Sequence, residues 1–141
     1  MTVTISKTSD IDACHKLRMV VFVEEQKVPV EEEIDDLDDI STHLLAKGVD
    51  GAALGTARIY EVGEIGKIGR VCVVKSQRGT GLGARLIEAC LEELRQRPHL
   101  KQAKLGAQNH AIGFYERFGF RVIGEEYLDG GIPHHDMVLD L

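Results

Sequence analysis

Hydrophobic and polar residues alternate at the start of the chain, and the pattern becomes helical after about ten residues. Val3 and Ile5 alternate with threonine and serine, which predicts a short strand. Ser9 or Asp10 offers an N-cap for a helix that runs to about Val21. The residues expected to face inward on this helix are Ile11, Leu17, Val20 and Val21.

Three apolar runs with the length of strands occupy the middle of the chain, at residues 43–47, 53–60 and 65–74. Asp50-Gly51 separates the first two runs, and this dipeptide between apolar runs is a strong hairpin signal. The first two strands are therefore predicted to pair antiparallel.

The most regular helical pattern follows these strands and ends before Pro98. Its apolar face consists of Leu82, Leu86, Ile87, Cys90, Leu91 and Leu94. A strand at 103–107, a helix at 111–117 stopped by Gly119, and strands at 120–123 and 137–141 complete the prediction.

The order of these elements predicts the fold class. Hairpins combined with a right-handed crossover are typical of one central mixed, mostly antiparallel sheet flanked by helices on both faces, an α/β (α+β) fold. The length of 141 residues suits a single domain over residues 1–141.

Composition excludes several classes of protein. Hydrophobic residues at 43% and charged residues at 28% are ordinary for a globular protein, and no apolar run is long enough to span a bilayer. Residues 1–10 carry no secretory signal, so we expect a cytoplasmic protein. Three widely spaced cysteines favour reduced, buried thiols over disulfides or a zinc site.

The net charge of −6 is unevenly distributed along the chain. Residues 24–40 hold nine acids and one lysine, whereas residues 67–104 hold nine bases and three acids. An acidic chain with one basic stretch is a poor nucleic-acid binder, because binding to phosphate backbones needs a broad cationic face. The basic stretch suits a small polyanionic ligand better. The acidic stretch, interrupted by Pro29, is predicted to be a loop with a short helix.

A glycine-rich turn lies between the third of these strands and the regular helix, with the sequence Arg78-Gly79-Thr80-Gly81-Leu82-Gly83-Ala84. Such a turn leaves backbone N–H groups unpaired at the positive end of a helix dipole, which is a favourable place for a phosphate group.

Two kinds of phosphate loop are ruled out or disfavoured. A Walker loop needs Gly-Lys-Ser/Thr, which the chain lacks. A dinucleotide loop needs an acid about 20 residues later, and after Glu93 the next acid is Glu116. A pyrophosphate cradle of another kind remains, beside the alternative that the glycines serve only tight packing.

Two motifs carry a family resemblance. Arg78-x-x-Gly81-x-Gly83 after an apolar strand, with Ala111-x-x-Phe114-Tyr115-Glu116-Arg117-Phe118-Gly119-Phe120 further along, resembles the core motifs of the GNAT superfamily of N-acetyltransferases. The string Val21-Phe22-Val23-x-Glu25-Gln26-x-Val28-Pro29, together with Gly131-Ile132-Pro133-His134, resembles the small bacterial ElaA-type branch.

The resemblance implies acetyl-CoA (coenzyme A) as the donor cosubstrate. The pyrophosphate would be held by backbone amides of Arg78, Gly79, Thr80, Gly81, Gly83 and Ala84. The strand edge around Cys72 and Val73 would pair with the pantetheine arm and the acetyl carbonyl. Gln108 stands where the family usually has asparagine, and Asn109 follows it, so either amide is a candidate for contacting CoA.

Acetyl transfer to an amine needs a neutral amine, a stabilised oxyanion and a proton for the departing thiolate. Tyr115 is the candidate proton donor, which would also contact the CoA thiol, with a packing role as the alternative. Candidates for the base are Glu25, His43, His134 and a chain of waters. No metal is expected, because His134 and His135 would point to opposite faces of a strand.

The predicted function is acetyl-CoA-dependent N-acyltransfer to a primary amine of a small molecule, peptide or protein, by a monomer or homodimer that uses neither nucleic acid nor membrane as a partner. The alternatives are a non-catalytic acyl-CoA-binding regulatory module and acyltransfer with other acceptor chemistry, such as lactone formation. The acidic stretch either keeps the protein soluble or forms the rim of the acceptor pocket, where it would attract cationic amines. Arg18 and Arg58 either bind an anionic substrate group or pair with these acids.

Overall fold

The chain folds into seven strands and four α-helices, which the computed structural model describes over residues 2–141. The elements in chain order are β1 (Thr4–Thr8), α1 (Ile11–Arg18), a π-helix (Met19–Glu25), α2 (Val30–Glu33), a 3₁₀ turn (Asp36–Ile40), β2 (Thr42–Lys47), β3 (Ala53–Val62), β4 (Ile65–Val73), a 3₁₀ turn (Lys75–Gln77), α3 (Leu82–Arg95), β5 (Gln102–Gln108), a 3₁₀ turn (Asn109–Ala111), α4 (Ile112–Glu116), β6 (Arg121–Asp129) and β7 (Ile132–Asp140). No helix within residues 2–141 is long and apolar enough to cross a membrane.

The strands form one sheet in the order β1-β2-β3-β4-β5-β7-β6. All neighbours pair antiparallel except β4 and β5, which α3 connects in parallel. The hairpin predicted at Asp50-Gly51 joins β2 to β3. The predicted mixed, mostly antiparallel sheet is confirmed.

Helices cover both faces of the sheet, as predicted, and neighbouring residues of β2 show this. Leu44 packs in the cluster that contains the buried face of α3, whereas Leu45 packs with Cys14 and Leu17 of α1. Because consecutive side chains of a strand point to opposite faces, α1 and α3 lie on opposite sides. The six α3 residues predicted to be buried are all buried.

The first helix departs from the predicted pattern after Arg18, where the chain continues as a π-helix. The Gln26 N–H donates to the Val21 carbonyl, five residues back. This wider spacing shifts each side chain around the helix axis relative to an α-helix. The prediction for Val20 is therefore wrong, since 42% of the residue is exposed, whereas Val21 is buried as expected.

The two last strands are longer than predicted. β6 continues to Asp129 and β7 begins at Ile132, so Gly130 and Gly131 form the turn of a hairpin. Tyr127 lies opposite His134 in this hairpin. The extension adds a polar surface to the sheet that the apolar pattern did not indicate.

β4 and β5 separate after a short stretch of pairing. Their ladder runs from Ile65 opposite Gln102 to Ile68 opposite Leu105, although the strands continue to Val73 and Gln108. The edge of β4 beyond Ile68 is therefore unpaired on the side of β5.

A bulge in β4 lies where the strands separate. Thr56 pairs with Cys72 and Arg58 pairs with Gly69, so Arg70 and Val71 together oppose a single residue of β3. Arg70 has a φ of 51°, a left-handed value that is strained for a residue with a side chain. The bulge shifts the alternation of side chains, because Ile68 packs on the α3 side and Cys72 packs on the α1 side.

All three cysteines are free and buried, and the predicted burial is confirmed. Cys14 and Cys72 lie in the cluster under α1, and Cys90 lies in the core under α3. Burial raises the pKa of Cys72 and Cys90 to about 12, and it also raises the pKa of Cys14.

Candidate active site

A cleft of about 450 Å³ lies on the face of the sheet that α1 covers. α1 packs against β2, β3 and β4. The floor of the cleft continues from β3 and β4 across β5 to β7 and β6, and its walls include Phe22, Gln26 and Val28 from the chain after α1.

Tyr115 lines this cleft from α4. Its ring packs edge-on against Phe114 and Phe120, with centroid distances of 5.0 and 6.1 Å. Burial, with a smaller contribution from Cys90, raises the pKa of Tyr115 to about 12. The phenol is therefore protonated at neutral pH, as a proton donor must be.

His134 lies on the cleft floor in β7 and is 8% exposed. Its Nδ1 lies 2.7 Å from the Ile132 carbonyl oxygen, which only accepts hydrogen bonds, so Nδ1 carries the proton. In the neutral ring Nε2 is then the basic nitrogen. His134 is thus held in the tautomer that leaves Nε2 able to accept a proton.

Tyr127 holds the His134 ring in place. The two rings stack with a centroid distance of 5.8 Å, and the Tyr127 hydroxyl donates to Asp136 at 2.7 Å. Burial and this hydrogen bond raise the pKa of Tyr127. The hydroxyl occupies the space that a Cβ at Gly106 would need, so glycine at that position lets Tyr127 lie across β5.

The glycine-rich turn has the backbone geometry expected of an anion site. Gly79 and Gly81 have φ values of 80° and 87°, and an added Cβ at either position meets open space. Gly81 is the N-cap of α3 and provides no side-chain cap, so the first N–H groups of this helix have no capping side chain. A second cavity, of about 280 Å³, adjoins the turn at Thr80, Leu82 and Arg85.

The unpaired edge of β4 leads from this turn to the cleft. The Val73 carbonyl accepts a hydrogen bond from Arg78 Nε at 3.1 Å, so it faces away from β3. Because the N–H and C=O of a strand residue in an antiparallel pair point to the same side, the Val73 N–H also faces the open edge. Cys72 does not face this edge, because its side chain is buried under α1 and its backbone groups, one residue earlier in the ladder, point toward Thr56 of β3.

A network of buried ion pairs forms one wall of the cleft. Arg18 and Arg58, which are 1% and 4% exposed, both donate to Asp38, at 2.8 and 3.0 Å. Arg18 also pairs with Glu33, and Arg58 also pairs with Asp35 at 2.8 Å. Arg18 and Arg58 therefore pair with the acidic stretch, which was one of the two roles predicted for them.

Arg70 completes this network from the β4 bulge. Its guanidinium donates to the carbonyls of Glu32 and Glu33 and to Asp35, which fixes α2 above the sheet. Three arginines thus face three carboxylates, so the network as a whole is neutral. Burial alone raises the pKa of Asp38, but hydrogen bonds from Arg18, His15 and Arg58 outweigh it and hold that pKa well below its ordinary value.

The structure does not bring all the predicted base candidates to the cleft. Glu25 pairs with Arg78 at 2.5 Å and does not line the cleft. His43 is buried, with Nε2 3.0 Å from the Asp38 carbonyl oxygen, and does not line it either. Of the three side chains predicted as candidate bases, Glu25, His43 and His134, His134 lines the same cleft as Tyr115.

The two amide candidates face different surroundings. Gln108 lines the cleft and donates to Gln26 at 2.9 Å. Asn109 instead bonds to Glu126 and His135 on the exposed side. His134 and His135 point to opposite faces of β7, and no cluster of potential metal ligands is present within residues 2–141.

Five of the residues that line the cleft were not predicted from the sequence. They are Lys67, Arg70, Lys104, Tyr127 and Asp136. The available signal was the two-residue period of the last strand. Extending that strand back to Ile132 places His134 and Asp136 on one face, with Tyr127 opposite.

Comparison with known proteins gives consistent matches over nearly the whole chain. The profile of the acetyltransferase (GNAT) domain matches residues 13–141. The N-acetyltransferase YjcF of Bacillus subtilis (strain 168), whose function is uncharacterized, is 41% identical over 126 residues, or 88% of each chain. A second protein of that organism, named as an acetyltransferase, is 38% identical over 133 residues, which are 92% of this chain and 89% of its own.

Solved structures show the same arrangement. Escherichia coli ElaA matches with a TM-score of 0.86 and 33% identity, covering 97% of this chain and 99% of that chain. An acyl-CoA N-acyltransferase from Pseudomonas aeruginosa matches with a TM-score of 0.85 and 34% identity, covering 97% of each chain.

We expect Asp38→Asn to lower the free energy of unfolding by roughly 3 kcal/mol at pH 7, because it removes the carboxylate that two buried arginines share. The pKa of Asp38 is lower in the folded state than in the unfolded chain. Its contribution to the free energy of unfolding is therefore complete above the ordinary aspartate pKa, and it is lost as the pH falls from that value toward the lowered pKa of the folded state. Urea titrations at pH 7 and pH 3 measure both effects.

The control is Asp39→Asn, which changes the neighbouring, exposed aspartate that has no ion pair within residues 2–141. It should change stability by less than about 0.5 kcal/mol. The wild type and Asp38→Asn should differ less in their free energy of unfolding at pH 3 than at pH 7. A difference that stayed constant or grew at pH 3 would contradict the network's role in stability.

Proposed function

Because this chain belongs to the GNAT acetyltransferase family, we propose that it transfers an acetyl group from acetyl-CoA to a primary amine bound in the cleft. The family matches confirm the resemblance read from the two motifs, including the similarity to ElaA. The observation that carries the proposal is that one cleft contains both a protonated phenol, Tyr115, and a histidine, His134, with a basic Nε2.

The donor is proposed to lie along the unpaired edge of β4. Backbone N–H groups from Arg78 to Ala84 would hold the pyrophosphate, since the glycines at 79, 81 and 83 leave them accessible. The Val73 N–H would bind the developing oxyanion of the acetyl group. The name of the Pseudomonas aeruginosa relative, an acyl-CoA N-acyltransferase, supports an acyl-CoA donor.

The amides and charged residues around the donor take different roles in this proposal. Gln108 would contact the pantetheine arm from the cleft, whereas Asn109 faces away from it. Glu25 would position Arg78 rather than act as the base, because the two side chains form an ion pair beside the turn.

The proposed reaction is a direct transfer. His134 Nε2 accepts the proton that converts the bound ammonium into an amine. The amine nitrogen attacks the acetyl carbonyl, a C–N bond forms and the C–S bond breaks, and Tyr115 gives its proton to the leaving sulfur. The nitrogen's remaining surplus proton returns to the tyrosinate through solvent, so the products are the amide, CoA and one proton on His134.

Thiol release from acetyl-CoA in the presence of a panel of primary amines tests the activity. We expect amine-dependent release in the wild type, and Gly83→Val should weaken CoA binding by at least about tenfold, because its Cβ branches would enter the cradle. Gly83 is preferred to Gly81 for this test because valine at Gly81 would strain a positive φ and destabilise the fold. A Cβ at Gly83 meets only Phe114, at an ordinary contact distance of 3.8 Å.

Calorimetric titration with CoA gives the affinity, and Glu88→Val on the exposed face of the same helix controls for a valine in α3. Unchanged CoA affinity in a folded Gly83→Val protein would refute the cradle. CoA binding without release of thiol for any amine would instead favour a non-catalytic acyl-CoA-binding module.

We expect Tyr115→Phe to lower kcat by roughly 10²-fold, the usual scale of general acid catalysis, and to leave CoA affinity nearly unchanged. The hydroxyl makes no hydrogen bond within residues 2–141, so the variant should fold with wild-type stability. Steady-state kinetics and urea unfolding measure the two effects. A wild-type kcat would reduce Tyr115 to a packing residue.

His134→Gln should lower kcat/KM for the amine by at least about 10²-fold, because an amide side chain accepts no proton. The matched control is His135→Gln, which makes the same change at the neighbouring residue on the opposite face of β7. Equal losses in the two variants would indicate a structural effect, and the base would then have to be sought among bound waters.

A further inference from the structure

Two lysines and a tyrosine form a row across the cleft floor. Lys67 of β4 lies directly opposite Lys104 of β5, and Tyr60 of β3 lies opposite Lys67 on the other side. All three residues line the cleft. Because Lys67 and Lys104 are partners in one ladder and both face the cleft, their ammonium groups share one region of it.

This row carries positive charge that the protein does not neutralise. Arg58 and Arg70 are paired within the neutral network that holds α2. Lys104 lies 3.6 Å from Asp136, a carboxylate that also accepts from Tyr127. Lys67 has no carboxylate within 4.0 Å in residues 2–141. One carboxylate thus faces two ammonium groups.

The floor between the lysines and His134 is open over β4, whereas Tyr127 lies over β5. Two residues further toward His134 lie Gly69 of β4 and Gly106 of β5. A Cβ at Gly69 would meet nothing within 4 Å, whereas the Tyr127 hydroxyl fills the space above Gly106, so the open path runs over Gly69. The row after that contains Gln108 and His134, which are partners between β5 and β7. Four residues of β5 separate the two ends of this trough, which corresponds to about 13 Å along the strand.

The opposite end of the trough carries the opposite charge. Asp129 lies in β6, beyond the position where Tyr127 pairs with His134, and it also lines the cleft. The cleft therefore has a cationic end at the lysines and an acidic group near the proposed base. This polarity matches a molecule with an ammonium at one end and an anion at the other.

We propose that Lys67 and Lys104 form a subsite for a carboxylate, and that the acceptor is an amine whose carboxylate is several bonds away. This inference rests on the proposed function, because it takes the His134 end of the trough as the place of the amine. The flexible lysine stems cover part of the 13 Å, so a chain of about five carbons would connect the two ends. An α-amino acid, with one carbon between its charges, would be too short.

The experiment compares 6-aminohexanoate with 6-aminohexanamide, which have the same length and similar amine basicity but differ in charge. We expect kcat/KM to be at least tenfold higher for the carboxylate, with the difference in KM. Glycine should show no advantage over glycinamide. A ratio near one, or a preference for the uncharged or a cationic amine such as 1,6-diaminohexane, would overturn the subsite.

Lysine variants assign the effect to these residues. Lys67→Met and Lys104→Met should each lower the ratio of kcat/KM for carboxylate over amide by at least threefold. Replacement of Lys67, which has no ion pair in the described part of the chain, should also leave the rate with the amide nearly unchanged. Lys47→Met, at an exposed position of β2 outside the cleft, is the control. A preference for the carboxylate that survived in both cleft variants would overturn the assignment.

A binding measurement separates this inference from the proposed function. Calorimetry on the CoA-saturated protein would compare 6-acetamidohexanoate with 6-acetamidohexanamide, the corresponding acetylated products. Tighter binding of the carboxylate, lost in Lys67→Met, supports the subsite even if no amine is acetylated, whereas equal binding overturns it. Absence of turnover with every amine would count against the transfer reaction alone.

Discussion

The separation of β4 from β5 is the constraint on which the rest of the molecule depends. Four paired residues hold the two strands together, and beyond Ile68 and Leu105 each continues alone. A sheet normally satisfies every backbone group in its interior, so this opening leaves donors and acceptors for a side chain, as at the Val73 carbonyl, or for a ligand or solvent. The bulge at Arg70 and Val71 coincides with it and turns the following residues of β4 to the other face. The same opening lets Tyr115, which is carried by α4, reach the cleft on the opposite side of the sheet.

The acidic stretch has a structural role that its composition conceals. Glu33, Asp35 and Asp38 are matched by Arg18, Arg58 and Arg70, so the wall they form attracts neither cations nor anions strongly. Burying such a network is costly, and Arg58 Nε and Arg70 Nε have no hydrogen-bond partner within the described part of the chain. The gain is geometric, since α2 is a single turn with little core of its own and is fixed over the sheet by these contacts. The paired carboxylates therefore give less support to an acceptor-pocket rim that attracts cations than the net charge of the acidic stretch suggested.

The parts of the structure that follow from local periodicity were predictable. The apolar face of α3, the β2–β3 hairpin and the strand-turn-helix around Gly81 each depend on residues close together in sequence. The site was only partly predictable, because it is assembled by strand pairing between distant residues. The sequence around Lys67 and Lys104 does not indicate that the two residues are strand partners. The π-helix after Arg18 turns Val20 toward solvent, and the 3.6-residue period cannot predict this change. Tyr127 was missed because polar residues end the apparent strand at Ile123, although the ladder continues to Asp129.

The burial of the three cysteines has a consequence for how the protein behaves toward oxidants and electrophiles. Thiol reactivity follows the fraction of thiolate and its accessibility, and burial suppresses both at Cys14, Cys72 and Cys90. Cys72 is nevertheless adjacent to the strand edge proposed to receive a thioester, so a reactive thiolate there would compete for the acetyl group. Its packing under α1 buries the sulfur, and Cys72 does not line the cleft. The folded protein should thus resist self-acylation and alkylation, and only unfolding would expose its sulfur chemistry.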